Sequence, residues 1–130
     1  MRERVLTDNG FKYVTGADPK PPKRVKADQN EWQRIRARKL TGWPCRICDA
    51  EKADSLHHIV PKSLGGDDVS DNLVPLCGSG TTGCHGLVEA RDVWACSLLG
   101  ARLTAAERRY VRTVKGAVFL ERYYGVKEAA

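Results

Sequence analysis

Apolar and polar positions first follow a helical rhythm after Asp28. Glu31 stands three residues later, the spacing of a capping box, in which each of two side chains bonds to the backbone of the other residue. Trp32 and Ile35 then recur at helical spacing and predict an inward-facing side. The pattern therefore predicts a helix that starts at Asp28 and is ended by Gly42.

A second helical pattern lies near the C-terminal end. Thr104 and Glu107 repeat the capping-box spacing, and Gly125 is a natural stop. Between these signals, apolar residues recur at helical spacing at Tyr110, Val111, Val114, Ala117 and Val118. The pattern predicts a C-terminal helix over about residues 104–124, whose apolar stripe is most simply explained by packing on a core.

Shorter runs between these helices predict two strands and a third helix. Residues 55–60 form the first candidate strand, and the Gly-rich, acidic segment 64–68 is a predicted turn or loop. Residues 72–76 form the second candidate strand, which Pro75 confines to a sheet edge because proline lacks a backbone donor. A helix is predicted from His85 to about residue 95. Strands and helices together predict an α+β fold class.

Composition limits the size of the core and the kind of partner. With 130 residues, of which 42% are hydrophobic, the chain is long enough for one compact domain, and a metal ion often supplements so small a core. The net charge of +6 favours an acidic partner, for which nucleic acid is the usual case. A solvated basic surface without a partner stays open as the alternative.

The N-terminal region differs in composition from the rest of the chain. Residues 1–27 are basic and proline-rich and predict a flexible arm, either a phosphate-contacting tail or a simple disordered terminus. Residues 28–130 then form the folded domain, with a core over 42–95. No apolar run approaches the roughly 20 residues needed to span a bilayer, and residues 1–10 lack the apolar segment of a signal peptide. We therefore expect a cytoplasmic protein that binds no membrane.

Five cysteines in a reducing compartment favour metal or redox chemistry over disulfides. Cys45 and Cys48 have the spacing that lets one turn hold a single ion, and Cys77 and Cys84 follow after both predicted strands. Four thiolates suit a structural Zn²⁺ ion. A redox Cys-x-x-Cys site and unconnected free thiols are the alternatives, but no thioredoxin-like pattern surrounds Cys45. Cys96 is left over and is expected to be a small buried apolar residue.

An ordered set of polar residues lies between and after the cysteine pairs. His57 and His58 are adjacent, Asn72 begins the second predicted strand, and His85 directly follows the last cysteine of the second pair. This order resembles that of HNH endonucleases, including those of actinobacterial phages and bacteria that carry a Cys-x-x-Cys pair. The resemblance spans about residues 42–89. It implies a small zinc-stapled ββα-metal core with flanking N- and C-terminal helices.

The same resemblance implies specific roles for these residues. His57 and His85 would bind a divalent ion, His58 would be the general base that activates water, and the amide of Asn72 would orient His58. Strand geometry agrees in part, because successive side chains point to opposite faces and adjacent histidines cannot easily share one task. The implied reaction is metal-dependent hydrolysis of phosphodiester bonds in double-stranded DNA, with Mg²⁺, Mn²⁺, Ni²⁺ or Zn²⁺ as the catalytic ion.

Glu89 departs from the family pattern. Many relatives carry a histidine four residues after the histidine that corresponds to His85, whereas this chain has a glutamate. Residues four apart share a helix face, so we expect Glu89 to lie beside His85. A carboxylate is a competent ligand and suits Mg²⁺ or Mn²⁺ better than imidazole does. An ordinary surface glutamate paired with an arginine is the alternative.

Basic residues around this motif are the expected DNA contacts. They are Arg34, Arg36, Arg38, Lys39 and Lys62. The competing function is a non-catalytic zinc module that binds DNA or a protein, although such a module would not need the histidines. By resemblance, the protein acts in a bacterial cell and is a candidate phage product with packaging proteins as partners, while homing and restriction stay open as roles.

Overall fold

The computed structural model describes residues 24–127 and contains, over this part of the chain, five α-helices and one two-stranded sheet. Two short 3₁₀ turns, Lys62–Leu64 and Ser70–Asn72, lie between the strands. In chain order the elements are α1 (Gln29–Leu40), β1 (Ser55–His58), β2 (Leu73–Leu76), α2 (Gly83–Glu89), α3 (Val93–Ala101), α4 (Ala105–Lys115) and α5 (Ala117–Tyr124). The predicted α+β class is confirmed, with helices on both sides of the ββα segment in the chain.

Helix α1 begins as its sequence predicts. The Asp28 side chain accepts a hydrogen bond from the backbone N–H of Glu31. Ile35 is buried, and it packs with Leu56 and Leu73 in a small cluster to which the half-buried Trp32 adds. The helix is therefore held against one face of the sheet by the apolar positions of its own pattern.

The two strands are antiparallel, with Leu56 opposite Pro75 and His57 opposite Val74. In a two-stranded sheet each strand has a free edge, so Pro75 is tolerated as expected. Because side chains alternate along a strand, Leu56 and His58 face α1, whereas His57 faces α2 and α5. The prediction that the adjacent histidines point to opposite faces is confirmed.

The prediction of one helix from His85 to about residue 95 was wrong. Helix α2 ends at Glu89, and Arg91 adopts a left-handed conformation with φ of 62°. Asp92 then caps α3, because its carboxylate accepts a hydrogen bond from the backbone N–H of Ala95. The Arg91 guanidinium lies 4.5 Å from the centre of the Tyr123 ring, a tertiary contact that no helical periodicity encodes.

The predicted C-terminal helix is also divided. Its start is confirmed, since Thr104 and Glu107 form the complete capping box. Gly116, with φ of 89° and ψ of 164°, separates α4 from α5 in a conformation that strongly favours glycine. The chain turns there, and α5 runs back over the core so that Tyr124 reaches the sheet.

Most of the core lies between the sheet, α3, α4 and α5. Cys96 is part of this core with 5% of its surface exposed, as its apolar neighbourhood in the sequence predicted. None of the helices in the described range is long and apolar enough to cross a bilayer. The arm predicted over residues 1–27 lies outside the described residues as far as residue 23, and Arg24 to Ala27 run along the loop that carries Asp68.

Candidate metal centres and active site

The four cysteines predicted to bind one ion lie together. Their sulfur atoms are all within 4.8 Å of one another, and the Sγ atoms of Cys48 and Cys77 are 4.0 Å apart. The loop after α1 supplies Cys45 and Cys48, the end of β2 leads into Cys77, and the first turn of α2 supplies Cys84. Gly78, with φ of 84°, lets the chain fold back between the second pair.

Local hydrogen bonds prepare these sulfurs for a cation. Backbone N–H groups of Ile47 and Cys48 point at the Cys45 sulfur, and that of Cys84 points at the Cys77 sulfur. Burial raises the pKa of the Cys45 thiol, but backbone N–H groups led by that of Cys48 outweigh it and lower this pKa to about 7. Burial raises the pKa of Cys77 and Cys84. Four closely packed sulfurs match the tetrahedral sulfur ligation of a zinc site.

A second cluster lies on the other side of β1 from α1. Ligand atoms of His57, His85 and Glu89 are within 4.8 Å of one another. One carboxylate oxygen of Glu89, Oε2, is 3.0 Å from Nδ1 of His57 and 3.3 Å from Nε2 of His85. The prediction that Glu89 lies beside His85 on one helix face is confirmed, and the carboxylate is turned toward both imidazoles rather than toward an arginine.

The outward-facing nitrogens of both imidazoles have hydroxyl partners. The Ser55 hydroxyl lies 2.7 Å from Nδ1 of His85, and the Tyr124 hydroxyl lies 3.0 Å from Nε2 of His57. Sequence reasoning missed both residues. Ser55 had a usable signal, because it stands two residues before His57 and so faces the same side of the strand. Tyr124 had none, because only the folding of α5 brings it to β1.

Electrostatics favour the metal-binding protonation states of this cluster. Burial lowers the pKa of His57 and of His85, so both imidazoles are neutral at pH 7. Contact with the His57 ring lowers the pKa of Glu89 to about 2, so its carboxylate is charged. Two neutral imidazoles and one carboxylate are a donor set found in metal-dependent hydrolases.

His58 lies on the opposite face of β1, apart from the three-residue cluster. Its ring stacks on Trp32 of α1, with centroids 6.0 Å apart and planes 8° from parallel. Its Nε2 atom lies 2.8 Å from a carboxylate oxygen of Asp68, which also binds the side chain of Arg24 and the backbone N–H of Ala27. Burial lowers the pKa of His58. Sequence reasoning placed Asp68 only in a loop and missed this contact.

The amide of Asn72, which was expected to orient His58, forms no hydrogen bond with that ring among the described residues. The Asn72 amide is fully buried, and its three hydrogen bonds in the described structure end on backbone groups. Its oxygen accepts from the N–H of Val60, and its nitrogen donates to the carbonyls of Val60 and Asp67. Asn72 therefore holds the loop that presents Asp68 to His58.

The predicted DNA contacts divide into two groups. Arg34, Arg38 and Lys62 are exposed, and Arg36 is half-buried on the same helix as the arginines. Lys39 differs from these residues. Its ammonium group donates to the carbonyl of Ser70 and lies 3.8 Å from the carboxylate of Glu107. Burial lowers the pKa of Lys39. The Lys39 ammonium group is thus bound by groups of the protein itself, and its expected contact with DNA stays a prediction.

Comparison with known proteins bears on these clusters. Residues 45–89 match the family model described as HNH endonuclease. The match includes all four clustered cysteines, the adjacent histidines and the cluster around Glu89. Neither the curated proteins nor the solved structures gave a match. Both residue clusters lie within the matched segment. Residues 45–89 of this chain therefore form an HNH endonuclease domain.

Proposed function

We propose that this protein is a divalent-metal-dependent endonuclease that hydrolyses phosphodiester bonds of double-stranded DNA. One observation carries the proposal. Adjacent histidines of one strand face opposite sides. His57 belongs to a cluster of three candidate ligands, whereas His58 lies outside that cluster beside the Asp68 carboxylate. A nuclease needs such a division, because one group must hold a cation at the phosphate while another accepts a proton from water.

The cluster of His57, His85 and Glu89 would hold the catalytic ion. A bound divalent ion stabilises the negative charge that builds on the phosphate and on the leaving 3′-oxygen. The chain's contribution is the donor set and its geometry. Mg²⁺, Mn²⁺, Ni²⁺ and Zn²⁺ are all candidates, and the carboxylate of Glu89 favours the harder Mg²⁺ and Mn²⁺ relative to a third imidazole.

His58 would be the general base, acting through Nδ1. The Asp68 carboxylate can only accept, so Nε2 of His58 donates to it and Nδ1 carries the free electron pair. Nδ1 takes a proton from water, the water oxygen bonds to phosphorus, and the bond from phosphorus to the 3′-oxygen breaks. A proton from solvent water then neutralises that oxygen, and the His58 imidazolium returns its proton to solvent, which restores the base. The charge of Asp68 stabilises the imidazolium that forms, and the Trp32 ring limits rotation of the base.

The cysteine cluster would hold a structural Zn²⁺ ion. Its four sulfurs join the loop before the sheet to the end of β2 and the start of α2. An ion at this place fixes the strand relative to the helix that carries His85 and Glu89. We therefore assign this ion to stability rather than to the chemical step.

A basic surface supports DNA as the substrate. The net charge is +6, and Lys62 and Arg24 are close enough to His58 to lower its pKa electrostatically. Arg34 and Arg38 of α1 line a shallow cavity together with Asp68. Cations around the proposed base would bind the phosphates that flank the cleaved bond.

Cleavage of supercoiled plasmid tests the proposal. Wild-type protein with Mg²⁺, Mn²⁺ or Ni²⁺ should convert the plasmid to nicked or linear forms, and EDTA should prevent this. His58→Ala and His58→Gln should keep fold, metal binding and DNA binding while losing nearly all cleavage, because neither side chain accepts the proton. Cleavage at near wild-type rate by either variant would contradict the base assignment. Binding without cleavage by the wild-type protein would instead favour a non-catalytic zinc module.

A further inference from the structure

We propose that Tyr124 and Ser55 are positioning residues that set the tautomers of His57 and His85, so that each ring presents a bare nitrogen to the carboxylate of Glu89. Both hydroxyls act on the metal cluster of the proposed function, so their role depends on that function. The hydrogen bonds that carry it are all contacts among residues of the chain. It also makes α5, which lies beyond the segment matched to the family, part of the metal site.

The Ser55 hydroxyl determines the proton position on His85. Ser55 Oγ lies 2.7 Å from the carbonyl oxygen of Gly78, which can only accept, so the single hydroxyl proton is used there. The same oxygen lies 2.7 Å from Nδ1 of His85 and can only accept from it. His85 therefore carries its proton on Nδ1 and leaves Nε2, the atom nearest Glu89, with a free electron pair.

The Tyr124 hydroxyl determines the proton position on His57 in the same way, but it contacts Nε2 rather than Nδ1. It donates to the carbonyl oxygen of Ile59 at 2.6 Å, and it lies 3.0 Å from Nε2 of His57. Tyr124 is 1% exposed, and its single hydroxyl proton is used in the bond to the Ile59 carbonyl, which can only accept. His57 must then donate from Nε2, which leaves Nδ1 bare.

Three electron pairs consequently converge on one point. Nδ1 of His57, Nε2 of His85 and a carboxylate oxygen of Glu89 lie within 4.8 Å of one another, and none has a proton to offer. A divalent cation satisfies all three electron pairs at once, whereas a hydrogen-bond donor such as water can satisfy at most two of them.

Without the Tyr124 hydroxyl, the alternative tautomer of His57 becomes accessible. Its proton would move to Nδ1, where the neighbouring carboxylate of Glu89 would accept it. The metal would then have to displace that proton. Groups that hold the outer nitrogen of a ligating histidine typically change metal affinity by about 10–100-fold, which is the range we expect here.

Two isosteric variants and a matched control separate this role from ordinary packing. Tyr124→Phe and Ser55→Ala each remove one hydroxyl and keep the rest of the side chain. Tyr123→Phe removes a hydroxyl from the preceding residue of α5, whose ring stacks on Phe119 at 4.1 Å. If one of the two variants fails to fold, the other tests the same argument on the other imidazole.

The first measurement is imidazole ¹⁵N NMR of the metal-free protein at pH 8, where the three histidines of the chain give few signals. In wild type, His57 should be protonated on Nε2 and His85 on Nδ1. Tyr124→Phe should shift His57 toward the other tautomer and leave His85 unchanged, and Ser55→Ala should do the reverse. Wild-type rings with the opposite tautomers would overturn the proposal.

The second measurement is the affinity for Mn²⁺ or Ni²⁺ by calorimetry. Tyr124→Phe and Ser55→Ala should each weaken binding about 10–100-fold, whereas Tyr123→Phe should bind like wild type. Unchanged affinity in both folded variants would also overturn the proposal. Correct tautomers and metal binding in a protein that never cleaves DNA would contradict the nuclease function alone, whereas DNA cleavage with the wrong tautomers would contradict this inference alone.

Discussion

Arg46, which lies between Cys45 and Cys48, forms a two-point ion pair with Glu107 of α4. The two guanidinium nitrogens lie 2.7 Å and 3.1 Å from the two carboxylate oxygens. The same carboxylate also accepts from the backbone N–H of Thr104 and so completes the capping box of α4. One buried side chain therefore joins the C-terminal helices to the loop that carries Cys45.

Removal of this carboxylate should weaken the whole fold. Glu107 is 2% exposed, so Glu107→Ala leaves Arg46 without its carboxylate partner and removes one of the two hydrogen bonds of the α4 capping box. We expect the free energy of unfolding to fall by about 3 kcal/mol, the size typical of breaking a buried ion pair. Chemical denaturation measures this loss. Glu121→Ala, at an exposed glutamate of α5, is the control and should change stability by no more than about 0.5 kcal/mol. Equal effects of both substitutions would show that the pair does not stabilise the fold.

The cysteine cluster should bind one zinc ion that supports the fold. Cys84→Ser should lose zinc, and its thermal unfolding temperature should drop, because metal binding and folding are coupled at such sites. Cys96→Ala provides the matched control, since Cys96 is buried but lies outside the cluster. Metal analysis and thermal melts report both properties. A Cys84→Ser protein with wild-type zinc content would disprove the assignment.

Glu89 should affect the metal rather than the fold. Its side chain is 48% exposed, so Glu89→Ala should fold normally but need a higher metal concentration for cleavage, because one ligand is lost. Glu89→His should retain activity and shift preference toward Ni²⁺ or Zn²⁺, since imidazole is a softer ligand. Metal titrations of the cleavage rate test both variants. Identical titration curves for wild type and Glu89→Ala would exclude ligation by this carboxylate.

The cleavage rate should fall only at acidic pH. A general base acts in its neutral form, and burial lowers the pKa of His58 below its usual value, so the neutral form persists to lower pH. With saturating metal, the rate should be constant above pH 7 and decline below about pH 6.5, the ordinary pKa of histidine. A pH–rate profile checks this. A half-maximal rate above pH 7 would mean that the pKa of the base is raised instead.

DNA binding should depend strongly on salt. Arg34→Gln and Lys62→Gln should each weaken binding to all sequences and reduce the salt slope by about 1, as loss of one phosphate contact requires. Arg122→Gln, at an exposed arginine of α5, is the control. Lys39→Gln should instead lower stability, because Lys39 is engaged with Ser70. Binding that does not change with salt would contradict a phosphate-contacting surface.

The amino-acid sequence by itself determined the features that depend on spacing. Residues four apart on a helix share a face, so the spacing alone places Glu89 beside His85. Residues adjacent on a strand face opposite sides, so the adjacency of His57 and His58 gives them different environments. The capping-box spacing in the sequence likewise located the starts of α1 and α4, although only α4 forms the complete box.

Only the tertiary structure decided which distant residues complete each site. Tyr124 reaches His57 because Gly116 separates two helices that the apolar pattern had joined, and the conformation of a glycine is not encoded by periodicity. Asp68 reaches His58 because the buried amide of Asn72 holds the intervening loop. These contacts depend on how packed elements are oriented in space, and that orientation is set by the core as a whole rather than by any local run of residues.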